Sequence, residues 1–144
     1  MKLTAKVKQR FDVLGVAAEA RALAKSAGLD ARYAEELALV VAELGMNAVR
    51  HGLGHGTIDL ELNARGWSVE VHDDGPGLSA AVLADGGRSD RLGHAGVRTR
   101  EEVGPSFGSG LASVTRLSSV LSLTNKESGG ARVVAQRIFD QSLS

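Results

Sequence analysis

The sequence predicts an α+β fold: a two-layer α/β sandwich whose mixed, mostly antiparallel sheet is covered on one face by helices. Three observations predict it. Thr57–Leu62 and Trp67–Val71 each alternate apolar and polar residues, and Asn63-Ala64-Arg65-Gly66 joins them in the manner of a hairpin turn. Val120–Leu123 and Arg132–Ile138 form a second such pair around Gly129-Gly130. Two consecutive helical patterns precede the first pair and a third precedes the second. Helices grouped between antiparallel pairs favour a layered α+β arrangement over a parallel sheet with crossover helices.

Taken in order, Leu3, Ala5 and Val7 read as a short alternating strand that extends towards Arg10-Phe11. Val16–Ala27 is alanine-rich and helical, with Gly28 placed to end it. Asp30 is a good cap for a second helix from Ala31 to about His51, and Gly52 stops that helix. Leu37, Val40, Val41, Leu44 and Ala48 form its buried stripe. The first hairpin follows. Residues 78–107 show little apolar period and read as one long irregular loop, of the kind that is usually functional or disordered in a compact domain. Leu111–Leu117 is helical, and the last hairpin closes the chain.

The chain of 144 residues is expected to form one domain, 1–144, with room for a real core. Its apolar stretches fall far short of the roughly 20 residues a membrane span needs, and the N-terminus lacks the apolar block of a secretory signal. There are no cysteines, which excludes disulfides and thiolate metal sites. A cytoplasmic protein with no membrane partner is the expectation. Seventeen basic and seventeen acidic side chains cancel, and aromatics make up 3%, so neither a basic face nor stacking rings suggest a nucleic-acid partner. Glycine stands out at 18 residues, about twice the usual share, clustered rather than dispersed. Clustered glycine in a core-forming chain suggests loops that approach a ligand closely.

Four constellations carry potential chemistry. Glu43 and Asn47 lie four apart on the second helix and share a face, with Arg50 and His51 one turn on. An amide oxygen can bind a hard cation while a nearby carboxylate orients a nucleophile. Asp73-Asp74-Gly75-Pro76-Gly77 follows a strand, where a carboxylate can accept a hydrogen bond from an exocyclic amine such as that of adenine. Gly108-Ser109-Gly110-Leu111 opens a helix, where free N–H groups suit phosphate. Gly129-Gly130-Ala131-Arg132-Val133 is the last. Singly, each is more commonly a solvated helix face, a tight turn, a helix start or a hairpin.

Their order and spacing are specific as a set. Glu43-Leu44-Gly45-Met46-Asn47-Ala48-Val49-Arg50-His51 resembles the N box of the GHKL (histidine-kinase-like) ATPase superfamily, which includes gyrase, heat-shock chaperone, histidine kinase and mismatch-repair ATPases. Asp73–Gly77 resembles its first glycine box, Gly108–Leu111 the second, and the Gly129-Gly130 hairpin the last. Within the superfamily the chain is most similar to the small anti-sigma-factor and stressosome switch-type serine/threonine kinases. Its short length points there, as does Gly110-Leu111-Ala112-Ser113-Val114-Thr115-Arg116-Leu117, which is similar to the Gly-Leu-x-x-Val-x-Arg-Leu helix of those kinases.

The resemblance implies a Bergerat-type fold that binds ATP with Mg²⁺. It implies Glu43 as general base, Asn47 as the Mg²⁺ ligand, and Arg50 or His51 near the phosphates. Asp73 would hold the adenine amine, with Gly75 and Gly77 shaping its pocket. Gly108, Ser109, Gly110 and Leu111 would cradle phosphate, and residues 78–107 would be the ATP lid, mobile over roughly 84–105 without nucleotide. Two positions depart from the family pattern. Ala131 stands where Thr is frequent, and Ser106-Phe107 stands where an arginine often touches the γ-phosphate; Arg98 or Arg100 could substitute.

The function implied is a Ser/Thr kinase that phosphorylates a STAS-domain antagonist or scaffold in a sigma-factor or stress partner switch. The resemblance leaves room for a sigma factor or a PP2C-type phosphatase as a further partner, and for a homodimer. The alternatives are a nucleotide-binding anti-sigma factor or phosphatase-activating module with little catalysis, and an ATPase domain separated from a histidine kinase.

Overall fold

In the computed structural model, residues 1–52, 55–85 and 109–139 are described. The elements run β1 (Lys2–Val7), α1 (Arg10–Ser26), α2 (Ala31–His51), β2 (Gly56–Asn63), β3 (Gly66–Asp73), α3 (Ala80–Asp85), α4 (Ser109–Leu117), β4 (Val120–Asn125) and β5 (Ala131–Ile138). The five strands form one sheet in the order β1-β2-β3-β5-β4. Every pairing in it is antiparallel, so the expected mostly antiparallel sheet is wholly so among the described residues.

Strand alternation puts a continuous apolar layer on one face. Ala5, Ile58, Val71, Val133 and Leu123 lie side by side across all five strands. Leu3, Leu60, Val69, Ala135 and Leu121 form the next row. Residues one step out of phase, such as Thr4, Asp59, Glu70 and Arg132, lie on the other face, where Thr4 bonds Asp59 and Arg132 pairs with Glu70. A one-sided apolar face of this kind needs a cover. α2 supplies it with Leu37, Val40, Val41, Leu44 and Ala48, all buried as expected, and α1 packs along α2. Gly45 permits the close contact, because a Cβ there would stand 2.8 Å from Val13 Cγ1 and 3.0 Å from Ile58 Cδ1.

Helix ends follow local chemistry. Asp30 caps α2 by accepting from the Arg32 N–H at 2.9 Å, and Gly28, at φ +87°, turns the chain out of α1. α1 itself begins at Arg10, not near Val16, so Arg10-Phe11 belong to the helix and not to the first strand. The cause is Asp12, whose Oδ2 accepts from the Lys8 and Gln9 N–H groups and secures the first turn. A second departure falls within the segment read as irregular. Ser79 Oγ accepts from the Val82 N–H at 3.2 Å and starts the short α3, which buries Val82. The rest of the expected lid, residues 86–107, lies outside the described residues, as does Gly108.

Candidate functional site

The site forms where the C-terminal half of α2 meets the end of β3 and the β4–β5 hairpin. Along β3 the inward positions are Trp67, Val69, Val71 and then Asp73. The same alternation that buries the core residues therefore carries a carboxylate into the interior, and Asp73 is only 7% exposed. Asp74 points the other way into solvent and pairs with Lys126 at 3.2 Å. Asp73 Oδ1 accepts from the Gly75 N–H at 2.9 Å and the Ala131 N–H at 3.2 Å. Both bonds fall on one oxygen, which leaves Oδ2 for another partner.

On α2, Glu43, Asn47 and His51 follow one another at intervals of four and face the same side. Asn47 and His51 line a pocket with Leu44, Ala48, Val71, Asp73, Gly77, Leu78, Ala131 and Val133. The pocket thus has an apolar wall from the core and three polar groups converging on it from α2 and β3. Ala131, set where the family often has Thr, presents a methyl group there. Arg50 is exposed beside the site. Gly75 does not line the pocket. It packs against the end of α2, where a Cβ would stand 2.6 Å from Gly52 Cα. Ser109, Gly110 and Leu111 form the first turn of α4, which packs on α2.

Electrostatics set two of these side chains apart. Burial pushes the Glu43 carboxyl above its ordinary pKa, opposed in part by the Arg50 guanidinium. Burial and then Arg50 hold the His51 imidazole below its ordinary value, against the pull of Asp73. Glu43 is therefore a stronger base than a surface carboxylate, and His51 is neutral at neutral pH. Glu43 Oε2 and Asn47 Oδ1 are buried with no hydrogen-bond partner among the described residues. Buried acceptors without partners are costly, and two of them one helical turn apart indicate groups held ready for a ligand. A hard cation suits an amide oxygen of this kind. Mg²⁺, which keeps waters and phosphate oxygens as most of its ligands, would be met by such an oxygen without a full set of protein ligands.

Two residues of the site had no signal in the sequence. Asn125 Oδ1 accepts from the Leu78 N–H at 2.7 Å, and its Nδ2 donates to the Leu78 carbonyl at 3.1 Å. Lys126, next in the chain, holds Asp74. Both grip the loop after β3 from the far hairpin. Neither lies in a motif, and the sequence separations of 47 and 52 leave no local pattern to find.

The family pattern of the histidine kinase-like ATPase domain matches residues 8–137. The sensor histidine kinase PdtaS of Mycolicibacterium smegmatis (strain ATCC 700084 / mc(2)155) is 43% identical over 77 residues, which is 49% of this chain and 15% of that protein. PdtaS of Mycobacterium tuberculosis (strain CDC 1551 / Oshkosh) is 40% identical over the same shares. The matched segment is thus a small part of these relatives. Among solved structures, the SiaB-SiaC complex from Pseudomonas aeruginosa contains a chain similar at a TM-score of 0.66 and 15% identity, covering 93% of this chain and 88% of that one. Full-length ShkA in complex with AMPPNP is similar at a TM-score of 0.50 and 20% identity, over 88% of this chain and 30% of that one. The two structural likenesses speak to the fold. The chain belongs to the histidine kinase-like ATPase domain family.

Proposed function

We propose that this histidine kinase-like ATPase domain, acting as a single unit over residues 1–144, binds Mg·ATP and transfers the γ-phosphoryl group to a serine or threonine of a STAS-domain partner in a signalling switch. The observation that carries the reading is the convergence of Asn47, His51 and buried Asp73 on one pocket, with Glu43 Oε2 and Asn47 Oδ1 buried beside it and unpartnered among the described residues.

In this reading Asp73 Oδ2 accepts a hydrogen bond from the adenine amine, while Oδ1 stays tied to the Gly75 and Ala131 N–H groups. Leu44, Val71 and Val133 flank the base. Asn47 Oδ1 would hold Mg²⁺, which would supply charge neutralisation on the phosphates when bound. The first turn of α4 presents backbone N–H groups to phosphate. Glu43, with its raised pKa, accepts the proton of the attacking hydroxyl as that oxygen bonds to the γ-phosphorus. The bond from phosphorus to the bridging oxygen then breaks and ADP departs. Most of the catalysis in such a transfer is positioning and charge stabilisation, which so small a site can provide. A protein partner is supported by the SiaB-SiaC likeness, since that chain of the same fold was solved in a complex.

The test is to mix the protein, Mg·ATP and a candidate STAS-domain protein, and to analyse the product for acid-stable phosphoserine or phosphothreonine. Transfer that is lost in Glu43→Ala supports the mechanism, and transfer unchanged by that substitution refutes it. The 43% identity to PdtaS over 77 residues favours one second reading, an ATPase domain that serves a phospho-accepting histidine. An acid-labile phosphohistidine product would establish it. Nucleotide binding with no transfer to any partner would instead leave a binding module.

A further inference from the structure

We propose that Asn125 is a positioning residue for the nucleotide: its side-chain amide clamps the backbone of Leu78 and so sets one wall of the base pocket. The inference rests on the nucleotide-binding reading above. Asn125 ends the edge strand β4 and is not among the residues that line the pocket, whereas Leu78 is. Its amide engages both backbone groups of Leu78, accepting from the N–H at 2.7 Å and donating to the carbonyl at 3.1 Å. That arrangement lets one side chain replace the strand partner that the chain lacks as it leaves β3.

Gly77 shows that the clamp shapes the loop. It sits at φ +87°, and a Cβ there would meet Asn125 Oδ1 at 2.7 Å. The glycine at this position therefore makes room for the Asn125 amide. The same hairpin holds the loop at two more points, through Lys126 on Asp74 and the Ala131 N–H on Asp73. A further close approach is that of Gly130, at φ +90°, where a Cβ would stand 2.9 Å from Asp74 Cα. The β4–β5 hairpin thus fixes the segment from Asp73 to Leu78 as a unit. Leu78 also lies against the core, so releasing its backbone frees the pocket wall to shift. A loop without the clamp must be ordered by the nucleotide itself, which weakens binding.

The experiment is calorimetry with Mg·ADP on wild type, Asn125→Ala, Gly77→Ala and the double variant, with amide hydrogen exchange of Leu78 in the nucleotide-free protein. Asn125→Ala should raise the Kd for Mg·ADP by about 5- to 30-fold and speed Leu78 exchange. Gly77→Ala should weaken binding less in the Asn125→Ala background than in wild type, because the clash with the amide is gone. Any direct effect of the new methyl on nucleotide is common to both backgrounds and cancels. A tie that serves stability alone would lower Tm but leave the Kd within twofold and the two substitutions additive, and either result overturns the proposal. If wild type binds neither Mg·ADP nor Mg·ATP, the nucleotide reading fails, whatever Leu78 exchange shows. If wild type binds and Asn125→Ala binds equally well, only the clamp fails.

Discussion

Replacing Asp73 with asparagine separates the recognition role proposed for this residue from its structural one. Asp73 is 7% exposed, and its Oδ1 accepts from the Gly75 and Ala131 N–H groups at 2.9 and 3.2 Å. Asparagine is nearly isosteric and keeps a carbonyl oxygen for both bonds. Only the second oxygen changes, from an acceptor to an NH₂ donor. Facing the adenine amine, that donor removes one hydrogen bond and opposes a second donor to the first. The expected loss is about 1–3 kcal/mol of binding, or roughly 5- to 150-fold in Kd. Calorimetry with Mg·ATP reads it directly. Inosine triphosphate, whose ring carries an acceptor in place of the amine, should lose less, so the preference for ATP over ITP should shrink. Thermal unfolding should move little, because the backbone bonds persist. Asp73→Ala, by contrast, leaves two backbone donors without their acceptor and should be clearly destabilised. An Asp73→Asn protein that stays folded and binds ATP within twofold of wild type would refute the assignment.

Other perturbations test the neighbouring residues. Glu43→Gln should cut phosphoryl transfer by at least about 100-fold with Kd for Mg·ATP changed only a few-fold. Burial raises the Glu43 pKa, so the folded protein loses stability as pH rises above 4.5 through the folded value. The glutamine variant lacks that cost and should melt higher than wild type at neutral pH. His51 has the opposite sign: its lowered pKa means that stability falls as pH drops below 6.5. Melting curves between pH 7.5 and 5 should show that fall in wild type and a shallower one in His51→Asn. Gly52→Ala would place a Cβ 2.5 Å from Asp73 Cβ, and should cost about 1–3 kcal/mol in denaturant unfolding while weakening nucleotide binding through the displaced carboxylate.

The glycine-rich boxes show how far local reading reaches. Gly52 does end α2 as expected, yet at φ −98° it is not there for a left-handed cap. A Cβ there would meet both the Ala48 carbonyl oxygen, four residues back, and the Asp73 side chain, 21 positions on. Gly75 likewise serves the end of α2, and Gly77 serves Asn125. The boxes read as ligand-facing loops in sequence. In the fold, much of their glycine lets backbone segments approach one another around the site.

Local patterns along the chain specify the architecture and the polar groups that meet at the pocket. Period two set which strand residues face in, and carried Asp73 inward with Val69 and Val71. Period 3.6 aligned Glu43, Asn47 and His51, and the order of the motifs tied them to one family. These signals are local, so they survive without coordinates. Asp12 and Ser79 start their helices through N–H groups three or four residues away, so those starts are local capping chemistry that apolar periodicity does not show. The grip of Asn125 and Lys126 on the loop after β3, across 47 and 52 residues, follows from tertiary structure alone. Tertiary structure also decided that Glu43 and Asn47 are buried enough to shift a pKa and to leave two acceptors without partners among the described residues. Burial and long-range hydrogen bonds depend on which segments meet in space, and no periodicity along the chain encodes that.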